Sequence, residues 1–395
     1  MSAEHPIRSL FLFSPAQPGA DTWVHLLIVR HLAACAVELH AAAQLPRGPG
    51  TTYEAVATLP DVRLRATDFG PSFFLQSRRE KLARVPRFIP AFADLIQLAL
   101  YVRHQRIAVI HSSDRPRDAL ACVLLGALTG AKSIIHVHVK YADWVSHGVR
   151  WAFHRADALV GISEFVSKSL MDGGFDTRKI HTVVNAIDPA GWDPTLPGQM
   201  GRAALSVSPE APLILCVGRI YEAKGQSALI EALALVQREL PGVRLAIVGA
   251  DYPEGSGDTA RLKAQASRLG VSDNVIFTGQ RRDIPTLMAA CDVFCLPSIE
   301  EPFGLVFAEA MASERPVVAV GDGGTTEVVD DGKTGLLAPA YDVATLANHL
   351  LTLLRDRELR VSMGQEGRRQ VEKRFNPTRL AREVRAVYER VLANA

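Results

Sequence analysis

Short runs rich in Val, Ile and Leu alternate along this chain with longer stretches whose apolar positions recur at helical spacing. The short runs read as buried strands and the longer ones as amphipathic helices. In the first half, residues 8–13, 37–42, 108–111, 133–138, 158–162 and 180–184 are predicted strands, and 23–34, 81–104, 118–129 and 163–171 are predicted helices. In the second half the strands fall at 213–217, 244–248, 275–278, 293–296 and 317–320. The helices fall at 226–239, 259–269, 284–290, 305–313 and 343–355, and a charged helical tail covers 358–373 and 378–392. Strand–helix alternation of this kind predicts α/β architecture: doubly wound parallel sheets with helices on both faces.

The rhythm breaks once. Residues 185–212 hold Pro189, Pro194, Pro197, Pro209 and Pro212 together with Gly191, Gly198 and Gly201, a density that suits an interdomain linker. The predicted organisation is an N-terminal Rossmann-like domain (1–187), a linker (188–212), a second Rossmann-like domain (213–376) and a C-terminal helix (377–395). A chain of 395 residues also exceeds the roughly 250–300 at which a single core stops growing. Ligands of such domains bind beyond the carboxyl ends of the strands, so the residues that follow strands carry the most information.

Composition narrows the class. A formal net charge of +2 gives no electrostatic case for a nucleic-acid partner. No apolar run reaches the ~18 residues that span a bilayer, and the opening residues read as a first strand rather than a signal peptide. The expected location is cytoplasmic. Cys35, Cys122, Cys216, Cys291 and Cys295 lie scattered in apolar segments, without zinc spacing, and are expected to be reduced, buried side chains. The sequence alone points to no metal ligand.

Two motifs follow predicted strands. Gly218-Arg219-Ile220-Tyr221-Glu222-Ala223-Lys224-Gly225 sits directly after 213–217. A glycine turn opening a helix offers free N–H groups and the positive end of the helix dipole to an anion. Arg219 and Lys224 add two full charges, which suits a diphosphate. The competing interpretation is a surface turn with two solvated cations. The pattern is not a Walker loop, and no G-x-G-x-x-G follows the first strand, which weighs against nucleotide hydrolysis and NAD binding. The second motif, Glu301-Pro302-Phe303-Gly304-Leu305-Val306-Phe307-Ala308-Glu309, follows 293–296. If helical throughout, it separates its carboxylates by roughly 12 Å, beyond the ~5–9.5 Å of a glycosidase pair. That span suits the two ends of one nucleotide-sugar, with Glu309 accepting ribose hydroxyls and Glu301 holding hydroxyls of the transferred sugar. The N–H groups of Phe303, Gly304 and Leu305 open a helix between them. Two exposed acids on an ordinary amphipathic helix are the alternative.

The order and spacing of CVGRIYEAKG, RLAIVGA, VIFTGQ, CDVFCLPSIEEPFGLVFAEAMA, RPVVAVGDGGTTEVVDDGKTGLLAP and KRFNPTRL resemble the donor domain of the family-four retaining glycosyltransferases. The resemblance covers essentially all of the second half. It implies the GT-B fold: two Rossmann-like domains facing a cleft, with the C-terminal helix crossing back to the first. It also implies donor-diphosphate contacts for Arg219 and Lys224, and sugar and ribose contacts for Glu301 and Glu309. The first half is similar over a shorter stretch, ALVGISEFVSKSL through KIHTVVNAID. GAKSIIHVH there looks like the strand that ends in the family's cleft histidine, which maps to His138, with His136 a rival two residues earlier. Two departures stand out. Ser313 occupies a turn position where glycine is usual. The first loop reads Pro18-Gly19-Ala20-Asp21-Thr22 instead of carrying paired glycines, so Gly19 alone is left to let backbone approach the diphosphate.

The resemblance implies transfer with retention from a nucleotide-diphosphate sugar, with UDP the first donor nucleotide and GDP and ADP as the alternatives. The acceptor is a glycan, a lipid-linked sugar or a small molecule. No metal, resident cofactor or Asp-x-Asp motif is called for, because protein cations face the leaving diphosphate. Rivals from other classes are a nucleotide-sugar epimerase and a non-catalytic nucleotide-sugar binding protein.

One segment lies outside these motifs. Between Asp61 and Arg117 there are eleven basic and five acidic residues, a local balance of +6. Within it, 77–89 interleaves Arg78, Arg79, Lys81, Arg84 and Arg87 with apolar residues, a composition suited to peripheral contact with an anionic membrane. The alternative is a solvated helix face, with Pro86 and Pro90 interrupting any long amphipathic helix.

Overall fold

The structure, a computed structural model, describes residues 6–71, 88–142 and 145–393. It divides into two compact units, one of Met1–Asn185 with Pro377–Ala395 and one of Ala186–Asn376.

Among the described residues, unit 1 holds a seven-stranded parallel sheet. Its strands are β1 (Ile7–Phe13), β2 (Val37–Gln44), β3 (Val62–Thr67), β4 (Val109–Ser113), β5 (Lys132–Val137), β6 (Ala158–Gly161) and β7 (Ile180–Thr182). The order is β3-β2-β1-β4-β5-β6-β7, so the direction of winding reverses between β1 and β4. Leu10, Phe11, Leu12 and Phe13 are all buried, as a parallel strand covered on both faces requires. Each such side chain contributes about 1.5–3 kcal/mol on leaving water. The helix Pro377–Ala393 belongs to this unit and packs on the helix Ala20–Leu32, burying Val384, Val387, Tyr388 and Val391.

Unit 2 repeats the plan with β8 (Leu213–Val217), β9 (Arg244–Val248), β10 (Val275–Gly279), β11 (Val293–Leu296), β12 (Val317–Val320) and β13 (Gly335–Ala338). The order is β10-β9-β8-β11-β12-β13, all parallel, with the reversal between β8 and β11.

Several details differ from the sequence pattern. β3 and β13, both edge strands, carry no long apolar run and are additional to the predicted strands. Within 185–212, Gly198–Ala204 is a helix packed on Ile284–Ala290. A Cβ at Gly201 would meet the Thr286 carbonyl oxygen at 2.5 Å, so this glycine permits close helix packing. The helix predicted at 81–104 is described as Phe88–His104. Pro90 lies in its first turn, where a missing N–H costs no intrahelical bond, so it does not interrupt the helix. Most of the basic segment 77–89 lies outside the described residues. No helix among the described residues is long and apolar enough to cross a membrane.

Candidate functional site

Unit 2 places both motifs at its switch point, since β8 and β11 are neighbours in the sheet. The chain leaves β8 through Gly218 and exposed Arg219, makes one tight turn at Glu222–Lys224, and enters the helix Gln226–Glu239 at Gly225. Gly225 has φ +71°, and a Cβ there would sit 2.1 Å from the Pro297 carbonyl oxygen. Only glycine lets this turn lie against the loop after β11. The Arg219 guanidinium lies over the Tyr252 ring at 4.2 Å from its centroid, and the Arg219 carbonyl accepts a bond from Gln226 Nε2 at 2.9 Å.

The loop after β11 carries Glu301, which is 9% exposed. Lys224 Nζ lies 2.5 Å from Glu301 Oε2, with both side chains largely buried. Two residues assigned from sequence to different parts of a donor therefore touch each other across the switch point. A third loop holds this one in place. Gly324 N–H donates to the Glu301 carbonyl at 2.7 Å, and Glu300 N–H donates to Asp322 Oδ2 at 2.9 Å. Glu300 itself has φ +51°, an uncommon conformation for a side-chain-bearing residue, placed directly before Glu301.

The stretch 301–309 is not helical throughout. Helix begins only at Leu305 and runs to Ala312, so the roughly 12 Å spacing expected of a continuous helix does not apply. Gly304 caps it at φ +84°, and a Cβ there would lie 2.3 Å from the Phe307 ring. The N–H groups of Phe303, Gly304 and Leu305 thus lead into a first turn, where intrahelical acceptors are lacking. The Phe303 ring is in the core, 5.6 Å from that of Phe375 and edge-on to it, so only its backbone is available to a ligand. Glu309, half-buried on this helix, has no side-chain partner among the described residues, and burial pushes its carboxyl up to about 7. A desolvated carboxylate of this kind is suited to accept from two hydroxyls. Ser313 ends the helix with φ −86°, and Glu314 takes the left-handed conformation at φ +54°, which explains why serine is tolerated at the usual glycine position.

In unit 1, Gly19 caps the helix Ala20–Leu32. A Cβ on it would lie 2.8 Å from Arg115 Nη2, and Arg115 is paired with Asp21 at 2.5 and 2.7 Å. This glycine therefore makes room for a guanidinium of its own unit. His138 follows β5 and is half-buried. Its N–H donates to Asp114 Oδ2 at 3.1 Å, and burial pushes the Asp114 carboxyl up to about 7. His136 is fully buried. His138 and His136 belong to one cluster with His25 and His111. His138 Nε2 is 3.1 Å from His25 Nε2, His136 Nδ1 is 3.3 Å from His111 Nε2, and His111 Nδ1 is 2.7 Å from Tyr388 Oη. Burial lowers all four imidazoles, His25 to about 4, so they are neutral at pH 7. One ring nitrogen from each of His25, His136 and His138 lies within 4.8 Å of the others, a grouping that the absence of a local metal-ligand pattern in the sequence does not anticipate.

Sequence spacing gives no sign that His25 and His111 join His136 and His138, of the Tyr252–Arg219 contact, or of the 322–324 loop that braces Glu301. All five cysteines are free. Four of the five are buried as expected, and Cys35 departs from that expectation.

Two doubly wound parallel sheets, the second with cations after β8 and a braced glutamate after β11, define the GT-B class of glycosyltransferase folds. Residues 202–370 match the family model for glycosyl transferases group 1, and residues 19–190 match that for glycosyltransferase family 4. The chain belongs to the family-four glycosyltransferases. It is 30% identical over 334 residues to a D-inositol 3-phosphate glycosyltransferase of Nocardia farcinica, covering 80% of this chain and 70% of that protein. It is 36% identical over 226 residues to the enzyme of that name from Jonesia denitrificans, covering 54% of this chain and 52% of the relative, so the chain spans about half that relative's length. Among solved structures it resembles Anabaena HepE in complex with UDP-glucose, with TM-score 0.79, 22% identity, and coverage of 98% of this chain and 100% of that one.

Proposed function

We propose that this protein is a retaining glycosyltransferase that moves a sugar from a nucleotide-diphosphate donor, a UDP-sugar first, to a glycan, lipid-linked or small-molecule acceptor. The observation that carries the proposal is the 2.5 Å contact of Lys224 with Glu301, which joins the two loops at the switch point of unit 2. Arg219 and Lys224 bind the diphosphate and, as it departs, stabilise the growing negative charge with preorganised positive potential. N–H groups at the start of Leu305–Ala312 add to that potential. Glu309 accepts the ribose hydroxyls. Glu301 binds hydroxyls of the transferred sugar, and its contact with Lys224 ties sugar position to diphosphate position. His138 is assigned to the donor sugar, and Gly19 to backbone approach at the first loop.

Retention follows front-face attack, in which the leaving phosphate takes the acceptor proton. With protein cations at the leaving group, transfer proceeds without a divalent metal. Family membership and the UDP-glucose complex of the Anabaena neighbour support the donor class. The test is purified protein with a panel of labelled UDP-, GDP- and ADP-sugars. Transfer to an acceptor supports the proposal. Isomerised donor alone would mark an epimerase, and binding without turnover a binding protein.

A further inference from the structure

Around His138, assigned above to the donor sugar, His25, His111 and His136 complete a cluster that contact with a sugar does not by itself require. His136 and His138 stand two residues apart at the end of β5 and so point to one side of the sheet. His25 comes to that side from the helix Ala20–Leu32. The three rings pack at centroid distances of 4.8 Å (136–138), 5.1 Å (25–138) and 5.4 Å (25–136).

Proton accounting shows what is incomplete. Suppose the four imidazoles only hydrogen-bond one another. His25 and His138 then share one proton at 3.1 Å, and His136 meets His111 through Nδ1. That leaves His136 Nε2, fully buried, with no partner. An unpaired buried nitrogen costs the protein its lost hydration.

We propose that His25, His136 and His138 together bind one divalent transition-metal ion of the zinc type. In that state His136 Nδ1–H donates to His111 Nε2, and His111 Nδ1–H donates to Tyr388 Oη at 2.7 Å. Such an outer relay fixes the tautomer and orientation of a metal-bound imidazole. Ligand nitrogens about 2.0–2.1 Å from a tetrahedral zinc ion stand roughly 3.3 Å apart. The His25–His138 separation of 3.1 Å already fits, and the widest separation of the trio, within 4.8 Å, closes by small ring movements. His25 and His136 are buried while His138 is half-buried, so the cluster meets solvent at His138.

The experiment uses the full chain, freed of metal by chelator and desalting, then titrated with Co²⁺ in the visible range and back-titrated with Zn²⁺. The expected result is one equivalent of four-coordinate Co²⁺, displaced by one equivalent of Zn²⁺ and retained in His104→Ala, which removes an exposed histidine elsewhere in the unit. His25→Ala, His136→Ala and His138→Ala should each weaken binding at least tenfold, with folding checked by circular dichroism. His138→Ala is the variant most certain to fold, because that side chain is half-buried. Wild-type protein that takes up no stoichiometric Co²⁺, or binding unchanged in folded His138→Ala, would overturn the site.

Discussion

Lys224 Nζ and Glu301 Oε2 lie 2.5 Å apart, joining the loop after β8 to the loop after β11. The two side chains are 13% and 10% exposed, so each charge depends on the other for what water would have given it. Removing one partner of such a pair costs about 3–5 kcal/mol, because the other is left uncompensated. A bound diphosphate offers Lys224 a second anionic partner. Under the proposed function, the pair would couple donor binding to the position of the Glu301 loop.

Arg219→Ala and Lys224→Ala should each lower kcat/KM for the donor by about 2.7–4 kcal/mol of transition-state stabilisation. Their effects on stability should differ. Arg219 is exposed and its loss should leave thermal unfolding nearly unchanged, whereas Lys224→Ala should lower Tm by stranding Glu301. Steady-state kinetics and calorimetry on both variants check this. Near-wild-type turnover in both would remove the diphosphate assignment.

Glu309 provides a pH signature. Its carboxyl is raised in the folded protein to about 7, against about 4.3 unfolded. Folding stability from this group is full below the unfolded value and is lost as pH rises toward the folded one. Glu309→Gln should therefore be more stable than wild type by about 1–3 kcal/mol at pH 8 and little different at pH 4. The same variant should bind nucleotide more weakly. Urea unfolding at both pH values checks the first part. An equal stability difference at pH 4 and pH 8 would contradict the buried, partnerless carboxylate.

His138→Ala should reduce transfer more, per folded molecule, than His136→Ala. His136 is fully buried, and its loss should instead cost stability, about 3 kcal/mol as for other large buried rings. Paired measurements of kcat and Tm separate the two roles, and a reversed kinetic ranking would show that the wrong histidine has been chosen.

The helix Phe88–His104 leaves Ile89, Phe92, Ile96 and Leu100 exposed at 73, 65, 45 and 62%. Their spacing puts them on one helical face, directly after the basic segment. Salt-sensitive co-sedimentation with phosphatidylglycerol vesicles is expected. It should fall in Phe92→Ser/Ile96→Ser and in Arg78→Ser/Arg79→Ser. No binding at low salt would exclude this surface as a membrane contact.

Much of this was legible in the sequence because parallel strands covered on both faces leave continuous apolar runs. β8 and the helix Gln226–Glu239 fall on the predicted residues. β3 escapes because it is an edge strand with alternating Arg63 and Arg65, and β13 because it is an edge strand that opens on Gly335, leaving only Leu336, Leu337 and Ala338 as its apolar run. The motifs named the donor-site candidates, but not that Lys224 and Glu301 touch, since 77 residues separate them in the chain. The histidine cluster is hidden for the same reason. His25, His111 and His136 come from three separate elements, and local spacing carries no trace of their meeting.

The most direct test of the central claim is an NMR assay of the chelator-treated protein with UDP-sugar and a panel of acceptors, following the anomeric signal of the product as it forms. The account predicts a glycoside whose anomeric configuration matches that of the donor, formed at an undiminished rate in EDTA. Inverted product, or turnover that strictly requires added Mg²⁺ or Mn²⁺, would contradict it.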